Sequence, residues 1–274
     1  MRVGFVGAGN MAGAIARGII AAGEVAGSDV VLVDARAEAG QALAEEVGAT
    51  VAPSAAELVA TCDVVVLAVK PQVLPEVVTD LAADLVRHRP LLVSIAAGTS
   101  LDAIEALLPG DAGLAVVRVM PNVNAMIGAG MAAVCGNVAA GADDAERVRA
   151  LFATVGEAIV LPERDFSAYT AIAGSAPAFA FAFVDALARG AVKNGLPKAQ
   201  ATRIAAQTLL GSARMVLERA EDGVTPADLV DMVSSPGGTT VAGTCAMEDA
   251  GFSPAVVRGV QATIDRDREM GAGG

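Results

Sequence analysis

Short apolar runs alternate with amphipathic stretches through the first 160 or so residues. Runs rich in Val, Ile and Leu occupy 2–6, 30–33, 64–69, 91–98, 115–122, 130–135 and 158–161. Each is too short for a helix and is bounded by Gly, Pro, Asn or Asp, which predicts strands. VVVLAV at 64–69 is apolar without alternation, as a strand buried on both faces of a parallel sheet must be. Between the runs, the segments ending near Ala22 and spanning 37–47, 73–87, 100–108 and 143–154 carry helical spacing. Strand and helix in alternation predict a doubly wound, mainly parallel sheet of Rossmann type, with ligands at the carboxyl ends of its strands.

From about residue 165 the pattern changes. DFSAYTAIAGSAPAFAFAFVDALARGAVKNG keeps helical spacing but is apolar on nearly every face, which marks a helix buried in a core or against another chain. Gly195 reads as its C-cap and Pro197 opens the next helix. Thr225-Pro226-Ala227-Asp228 reads as N-cap, N1 proline and capping-box acid, and Ser253-Pro254 repeats the start signal for a last helix over 254–269. The expected organisation is an α/β Rossmann domain over 1–163 and an all-α domain over 164–274. A first helix apolar on nearly every face predicts an oligomer that packs these halves together.

Charge and composition narrow the partners. Net charge is −12 over 274 residues, with only three Lys among 19 basic residues and no basic cluster, so a polyanion such as nucleic acid is repelled. Three scattered cysteines form neither a disulfide framework nor a metal spacing. No unbroken apolar run reaches the roughly 18 residues of a membrane span; APAFAFAFV stops at Asp185. A cytoplasmic protein with no membrane, nucleic-acid or metal partner is expected.

Two stretches carry chemistry. Gly7-Ala8-Gly9-Asn10-Met11-Ala12 has the form G-x-G-x-x-A at a strand-to-helix junction. Gly7 permits the tight turn, Gly9 lets a pyrophosphate approach the backbone, and Ala12 lets helix and strand pack closely. The helix N-terminus, with Asn10 and Met11, supplies unpaired N–H groups to the phosphates. Asp34 ends the second strand, where an acid accepts a ribose 2′-hydroxyl and favours NAD, while Arg36 suits the 2′-phosphate of NADP. The sequence leaves the two open. Other strand ends supply small or polar residues to the same cleft: Ala68, Val69, Lys70 and Pro71; Ala97 and Gly98; and Asn122. Lys70 reads equally as a solvated strand-end charge and Asn122 as a turn residue. His88, the only histidine, reads as a surface residue.

The second stretch is VSSPGGTTVAG at 233–243, set between helices. Gly, Pro and Ser are ordinary loop punctuation. The same residues can also form an anion nest at a helix N-terminus, with Gly237 and Gly238 orienting N–H groups and Ser235, Thr239 and Thr240 adding hydroxyls. A small carboxylate is the natural guest.

FVGAGNMA, AVKPQ, SIAAG, RVMPN, GSAPAF and SPGGTTVAG, in this order along the whole chain, resemble the pyrroline-5-carboxylate reductases. The resemblance implies reduction of 1-pyrroline-5-carboxylate to L-proline with NADPH, or NADH as the alternative. It implies a homodimer through the helical domains, built into decamers in several members. It also implies substrate contacts from Ser235, Pro236, Gly237, Gly238, Thr239 and Thr240, with Ser235 and Thr240 as the catalytic pair and Thr240 meeting the imine nitrogen. The chain departs from the family pattern at Val123-Asn124 (commonly Thr-Pro), Ala176 (Gly) and Phe179 (Tyr). Pro53-Ser54-Ala55 lacks a frequent cofactor-side Asn, a place Ser54 would fill. Two readings compete: a related imine reductase or β-hydroxyacid-type dehydrogenase, and a non-catalytic dinucleotide sensor. The first lacks its glycine-rich substrate motif here, and a sensor has no need of a substrate nest.

Overall fold

The computed structural model describes residues 1–110 and 112–272. The chain divides into two compact units, one of Met1–Ser175 with the residues from Thr263 onward, the other Ala176–Ala262. The boundary expected at 163/164 falls in the turn Glu163–Asp165, and the units part twelve residues later, within a helical run.

The first unit is built on one eight-stranded sheet: β1 (Val3–Val6), β2 (Val30–Val33), β3 (Thr50–Val51), β4 (Val64–Leu67), β5 (Leu91–Ser94), β6 (Val116–Pro121), β7 (Gly130–Gly136) and β8 (Gly156–Val160). The spatial order is β3-β2-β1-β4-β5-β6-β7-β8. Strands β1 to β6 are parallel, with Val3 of β1 opposite Val30 of β2 and Val64 of β4. The order reverses direction between β1 and β4, and there the crevice for a ligand opens.

β7 runs antiparallel to β6, and β8 parallel to β7. Connection length is the cause. A parallel return needs a crossover of about a dozen residues or more. β6 and β7 are joined only through the short turn Val123–Ile127, whereas β7 and β8 are joined through a 13-residue helix.

Helices cover both faces. α1 (Asn10–Ala21), α2 (Ala37–Val47) and α6 (Gly141–Ala153) press Ile15, Ile19, Leu43 and Phe152 against Phe5, Val64 and Val66. On the other face α3 (Ala55–Thr61), α4 (Leu74–His88) and α5 (Leu101–Glu105) press Leu58, Leu74, Leu85 and Ile104 against Val65 and Leu67. Each such side chain contributes about 1.5–3 kcal/mol when fully buried. Successive residues of β4 feed opposite clusters, as strand geometry requires. β3 and α3 escape the sequence pattern because two and seven residues are too few to show a period.

The helical run begins with α7 (Phe166–Tyr169) and passes through a π-helical turn, Thr170–Ser175. Phe166, Tyr169 and Ala173 pack on Ala133 of β7. Burial pushes the Tyr169 hydroxyl's pKa well up, and it meets no hydrogen-bond partner among the described residues.

The second unit holds α8 (Ala176–Lys193), α9 (Lys198–Ala220), α10 (Pro226–Met232), α11 (Thr239–Asp249) and the first part of α12 (Phe252–Ala272). Gly195, at φ +100°, ends α8 and Pro197 caps α9, as expected. Few side chains of this unit are buried. Phe181 is 62% exposed, and Leu210, Leu217 and Val257 are also open. The run Glu163–Lys193 is long and apolar enough to cross a bilayer by length and composition alone. It also carries Asp185, paired with Arg189 and Lys198.

Candidate active site

The glycine loop lies between β1 and α1, at the point where the strand order reverses. Gly7 sits at φ +105°, and a Cβ there would stand 2.6 Å from the carbonyl oxygen of Ala68. Both the backbone conformation and the contact demand glycine. Gly9 is different: its backbone is extended, and a Cβ would point into open space in front of α1. α1 has no acid in its first turn and no side-chain cap. Its first N–H groups and positive dipole end are therefore available to a phosphate. Asn10 is exposed, Met11 half-buried and Ala12 buried against the sheet. A dinucleotide's pyrophosphate fits this opening, which a side chain at residue 9 would fill.

Asp34 and Arg36 differ sharply in freedom. The carboxylate of Asp34 is 13% exposed. It accepts from the Ala8 N–H at 2.7 Å and the Arg36 N–H at 2.8 Å, so it ties the glycine loop to the end of β2. The guanidinium of Arg36 is 78% exposed and only loosely paired, 3.8 Å from Asp34.

The remaining expected cofactor residues divide. Ala68 and Val69 are half-buried after β4, and Lys70 is exposed. The Lys70 and Pro71 carbonyls accept from the start of α4. Ala97 is exposed and Gly98 lies at φ +73° beyond β5. These stand at the carboxyl ends of β4, the neighbour of β1, and of β5, one strand further. Asn122 does not offer its side chain to the cleft. It is 6% exposed, donates to the Ala173 carbonyl at 3.0 Å and accepts from the Met131 N–H at 3.1 Å. Ala173 lies in the π-helical turn Thr170–Ser175, just ahead of Pro177, which has no N–H to donate. Asn122 supplies a donor to that turn and an acceptor to β7, so its side chain is taken up by positioning rather than by the expected cofactor contact. Ser54 caps α3 by accepting from the Glu57 N–H at 3.2 Å, which is the role its sequence position fits. His88 is exposed on the last turn of α4.

In the helical unit, SSPGGTT forms a turn and then a helix start. The Gly238 N–H donates to the Ser235 carbonyl at 2.9 Å, with Pro236 and Gly237 (φ +67°) between them. That is the proline-glycine pattern of a type II turn. A Cβ on Gly238 would meet the Ser235 hydroxyl oxygen at 2.3 Å and the Ser235 carbonyl oxygen at 3.0 Å, so a side chain there requires Ser235 to turn its hydroxyl away. The nest expected from Gly237 and Gly238 is thus shifted: the Gly238 N–H closes the turn, and the open donors are the first-turn amides of α11. α11 has no side-chain cap and no acid in its first turn. α10 supplies the contrast. Its start is closed by the expected capping box of Thr225 and Asp228, and the Thr225 hydroxyl and N–H hold the Asp228 carboxyl below its usual pKa. Ser235 and Thr239 are exposed and Thr240 half-buried, and their hydroxyls make no hydrogen bond among the described residues. No cluster of metal-ligating side chains occurs among the described residues.

A mainly parallel sheet with an open, uncapped glycine loop at its reversal point is the architecture of a dinucleotide-binding protein, here followed by a helical unit with its own uncapped helix start. Residues 163–270 match the family model for pyrroline-5-carboxylate reductase dimerisation, and residues 2–98 match that for NADP oxidoreductase, coenzyme F420-dependent. A pyrroline-5-carboxylate reductase of Synechocystis is 37% identical over 271 residues, spanning 99% of this chain and 98% of that protein. The solved structure of the Coxiella burnetii pyrroline-5-carboxylate reductase is similar at TM-score 0.91 and 29% identity, covering 98% of both chains. Plasmodium falciparum pyrroline carboxylate reductase, solved with NADP bound, is similar at TM-score 0.85 and 28% identity, covering 99% of this chain and 98% of that one. The chain belongs to the pyrroline-5-carboxylate reductase family. It is an oxidoreductase that reduces pyrroline-5-carboxylate to proline with a nicotinamide dinucleotide, and its helical half is an oligomerisation region.

Proposed function

We propose that the open start of α11 seats the carboxylate of the imino acid, that Thr240 meets the imine nitrogen, and that NADPH is the preferred reductant. The carrying observation is that α11 begins with free amides and unpaired hydroxyls where the neighbouring α10 is closed by its own aspartate. A carboxylate there gains charge-assisted hydrogen bonds from first-turn N–H groups together with the helix dipole. Ser235 and the 236–239 backbone shape the seat. A protonated imine is already electrophilic, so the protein's task is to orient it and hydrogen-bond its nitrogen. When bound, the reduced nicotinamide supplies the hydride. Gly7, Gly9, Asn10, Met11 and Ala12 hold its pyrophosphate, and Ala68, Val69, Lys70, Pro71, Ala97 and Gly98 line its cleft.

The preference for NADPH rests on the unequal freedom of Asp34 and Arg36. Asp34 is occupied by two main-chain donors and largely buried, while the Arg36 side chain is largely exposed and only loosely paired just beyond the end of β2. A 2′-phosphate gains a charge-assisted partner there. The test is initial rates with 1-pyrroline-5-carboxylate and either reduced dinucleotide. NADPH gives the higher kcat/KM. Arg36→Gln raises KM for NADPH about 10- to 100-fold, the equivalent of about 1.5–3 kcal/mol for a hydrogen bond to a charged group, and leaves KM for NADH within twofold. Equal KM changes for both dinucleotides would refute the assignment.

The working form is a homodimer joined through the helical units, a building block for larger rings. An apolar groove of about 460 Å³, lined by Phe179, Ala182, Phe183, Phe252, Ala255 and Val256, supports this together with open Phe181 and Leu217. A partner chain accounts for that apolar surface without a bilayer. The three free cysteines favour the reducing cytoplasm.

A further inference from the structure

Arg118 is the most deeply buried charged partner of any ion pair among the described residues, with a side chain 8% exposed. It sits on β6 between Ser94 of β5 and Cys135 of β7. Its guanidinium donates to a carboxylate oxygen (Oε1) of Glu163 at 2.9 Å and stacks 4.6 Å from the centre of the Phe166 ring. A buried guanidinium needs such a partner, because an isolated buried charge is strongly disfavoured. The same Glu163 oxygen accepts from the Leu101 N–H at 2.7 Å. Leu101 is the first residue of α5 and follows directly on the loop that leaves β5 and carries Ala97 and Gly98.

That loop has few anchors. Near β5 the Ile95 N–H donates to the Leu67 carbonyl at 3.2 Å. At its far end Ser100 caps α5 by accepting from the Ala103 N–H, and Glu163 takes the Leu101 N–H. Ala97 and Gly98 between them are not fixed by any side chain among the described residues. α5 is five residues long, too short to hold its own position by helix cooperativity.

We propose that Arg118 and Glu163 form a positioning clamp for the cofactor. Arg118, on the sheet, fixes Glu163 in its turn, Glu163 fixes the Leu101 amide, and the Leu101 amide sets where the Ala97–Gly98 backbone meets the nicotinamide end of the dinucleotide. The clamp rests on the reading of Ala97 and Gly98 as cofactor contacts. It differs from a plain stability role, since loosening it changes dinucleotide affinity in protein that remains folded.

Two measurements test it. With Arg118 in place, Glu163→Gln keeps an oxygen to accept from both the Arg118 guanidinium and the Leu101 N–H, and Glu163→Ala removes it. NADPH affinity, read by its fluorescence on binding, is expected to be tenfold or more weaker in the Ala protein than in the Gln protein, with KM for pyrroline-5-carboxylate within twofold. Equal affinities, with the two proteins differing only in melting temperature, would overturn the clamp. The second measurement uses the unaltered enzyme. Hydrogen exchange with and without NADPH is expected to show residues 97–101 and 162–166 gaining protection together. Protection of 97–101 without 162–166 would overturn the clamp even if a variant fails to fold. If NADPH protects neither segment while the glycine loop is protected and turnover is normal, the assignment of Ala97 and Gly98 fails, and the clamp with it.

Discussion

Gly7 and Gly9 stand two residues apart and are glycine for separate reasons. Gly7 answers to the fold: its φ of +105° and the Ala68 carbonyl leave no room for a side chain. Gly9 meets no such demand, since its backbone is ordinary and the space before it is open, and we propose that it is glycine for the ligand. Gly7→Ala is therefore expected to destabilise the protein by about 1–3 kcal/mol, the range for a residue held in a disfavoured backbone region. Gly9→Val is expected to melt like the unaltered protein and to bind NADPH at least tenfold more weakly, about 1.4 kcal/mol. Thermal melts paired with dinucleotide titrations separate the two; loss of stability at Gly9 without loss of binding would reverse the assignment. This distinction was legible in the G-x-G-x-x-A spacing, because the motif encodes one steric demand per glycine. The roles of Asp34 and Arg36 were not. Both residues were visible, but which one was tied to main-chain amides depends on how β2 meets the glycine loop.

At the scale of elements, the parallel strands and their covering helices followed from apolar runs alternating with amphipathic ones. The inverted β7 was legible in principle from the short connection after β6, which cannot make a crossover. β3 and α3 carried too few residues to show a period. Asn122 shows why side-chain roles lag behind element positions. It lies at the end of a parallel strand, where a cofactor contact is the natural expectation, yet its amide bridges β7 and the Ala173 carbonyl in the π-helical turn. That link joins residues 51 positions apart, and no local pattern announces it. Asn122→Ala leaves a buried carbonyl and a buried N–H without partners, each costing about 1–3 kcal/mol. The expected outcome is a loss of about 2–4 kcal/mol in denaturant unfolding, with KM for NADPH little changed in protein that remains folded. An unchanged midpoint with a raised KM would restore the direct cofactor contact. The substrate loop was legible as a choice between plain loop and anion seat. The contrast between closed α10 and open α11 favours the second.

For the whole molecule, the exposed apolar helices state a requirement for a partner. Phe181, Leu210, Leu217 and Val257 are open on a unit that buries few of its own side chains. Patches of this kind on soluble proteins mark association sites. Sedimentation across concentration is expected to show a dimer or a multiple of it and no stable monomer, and Phe181→Glu is expected to lower the assembly state and the activity together. A fully active monomer would contradict the helical units as the joining surface. The apolar all-round pattern of 165–195 made this legible from sequence, because a helix with no polar face has to be covered by something.

We propose that the start of α11 receives the imino acid. The most direct measurement is the initial rate of loss of reduced-nicotinamide absorbance with 1-pyrroline-5-carboxylate, for the unaltered enzyme and for Thr240→Ala, alongside the NADPH dissociation constant of each. The account predicts that Thr240→Ala lowers kcat/KM for the imine about 10- to 100-fold, the equivalent of about 1.5–3 kcal/mol for a hydrogen bond to a charged group, while NADPH binding stays within twofold. A Thr240→Ala enzyme that reduces the imine at the unaltered rate would contradict it.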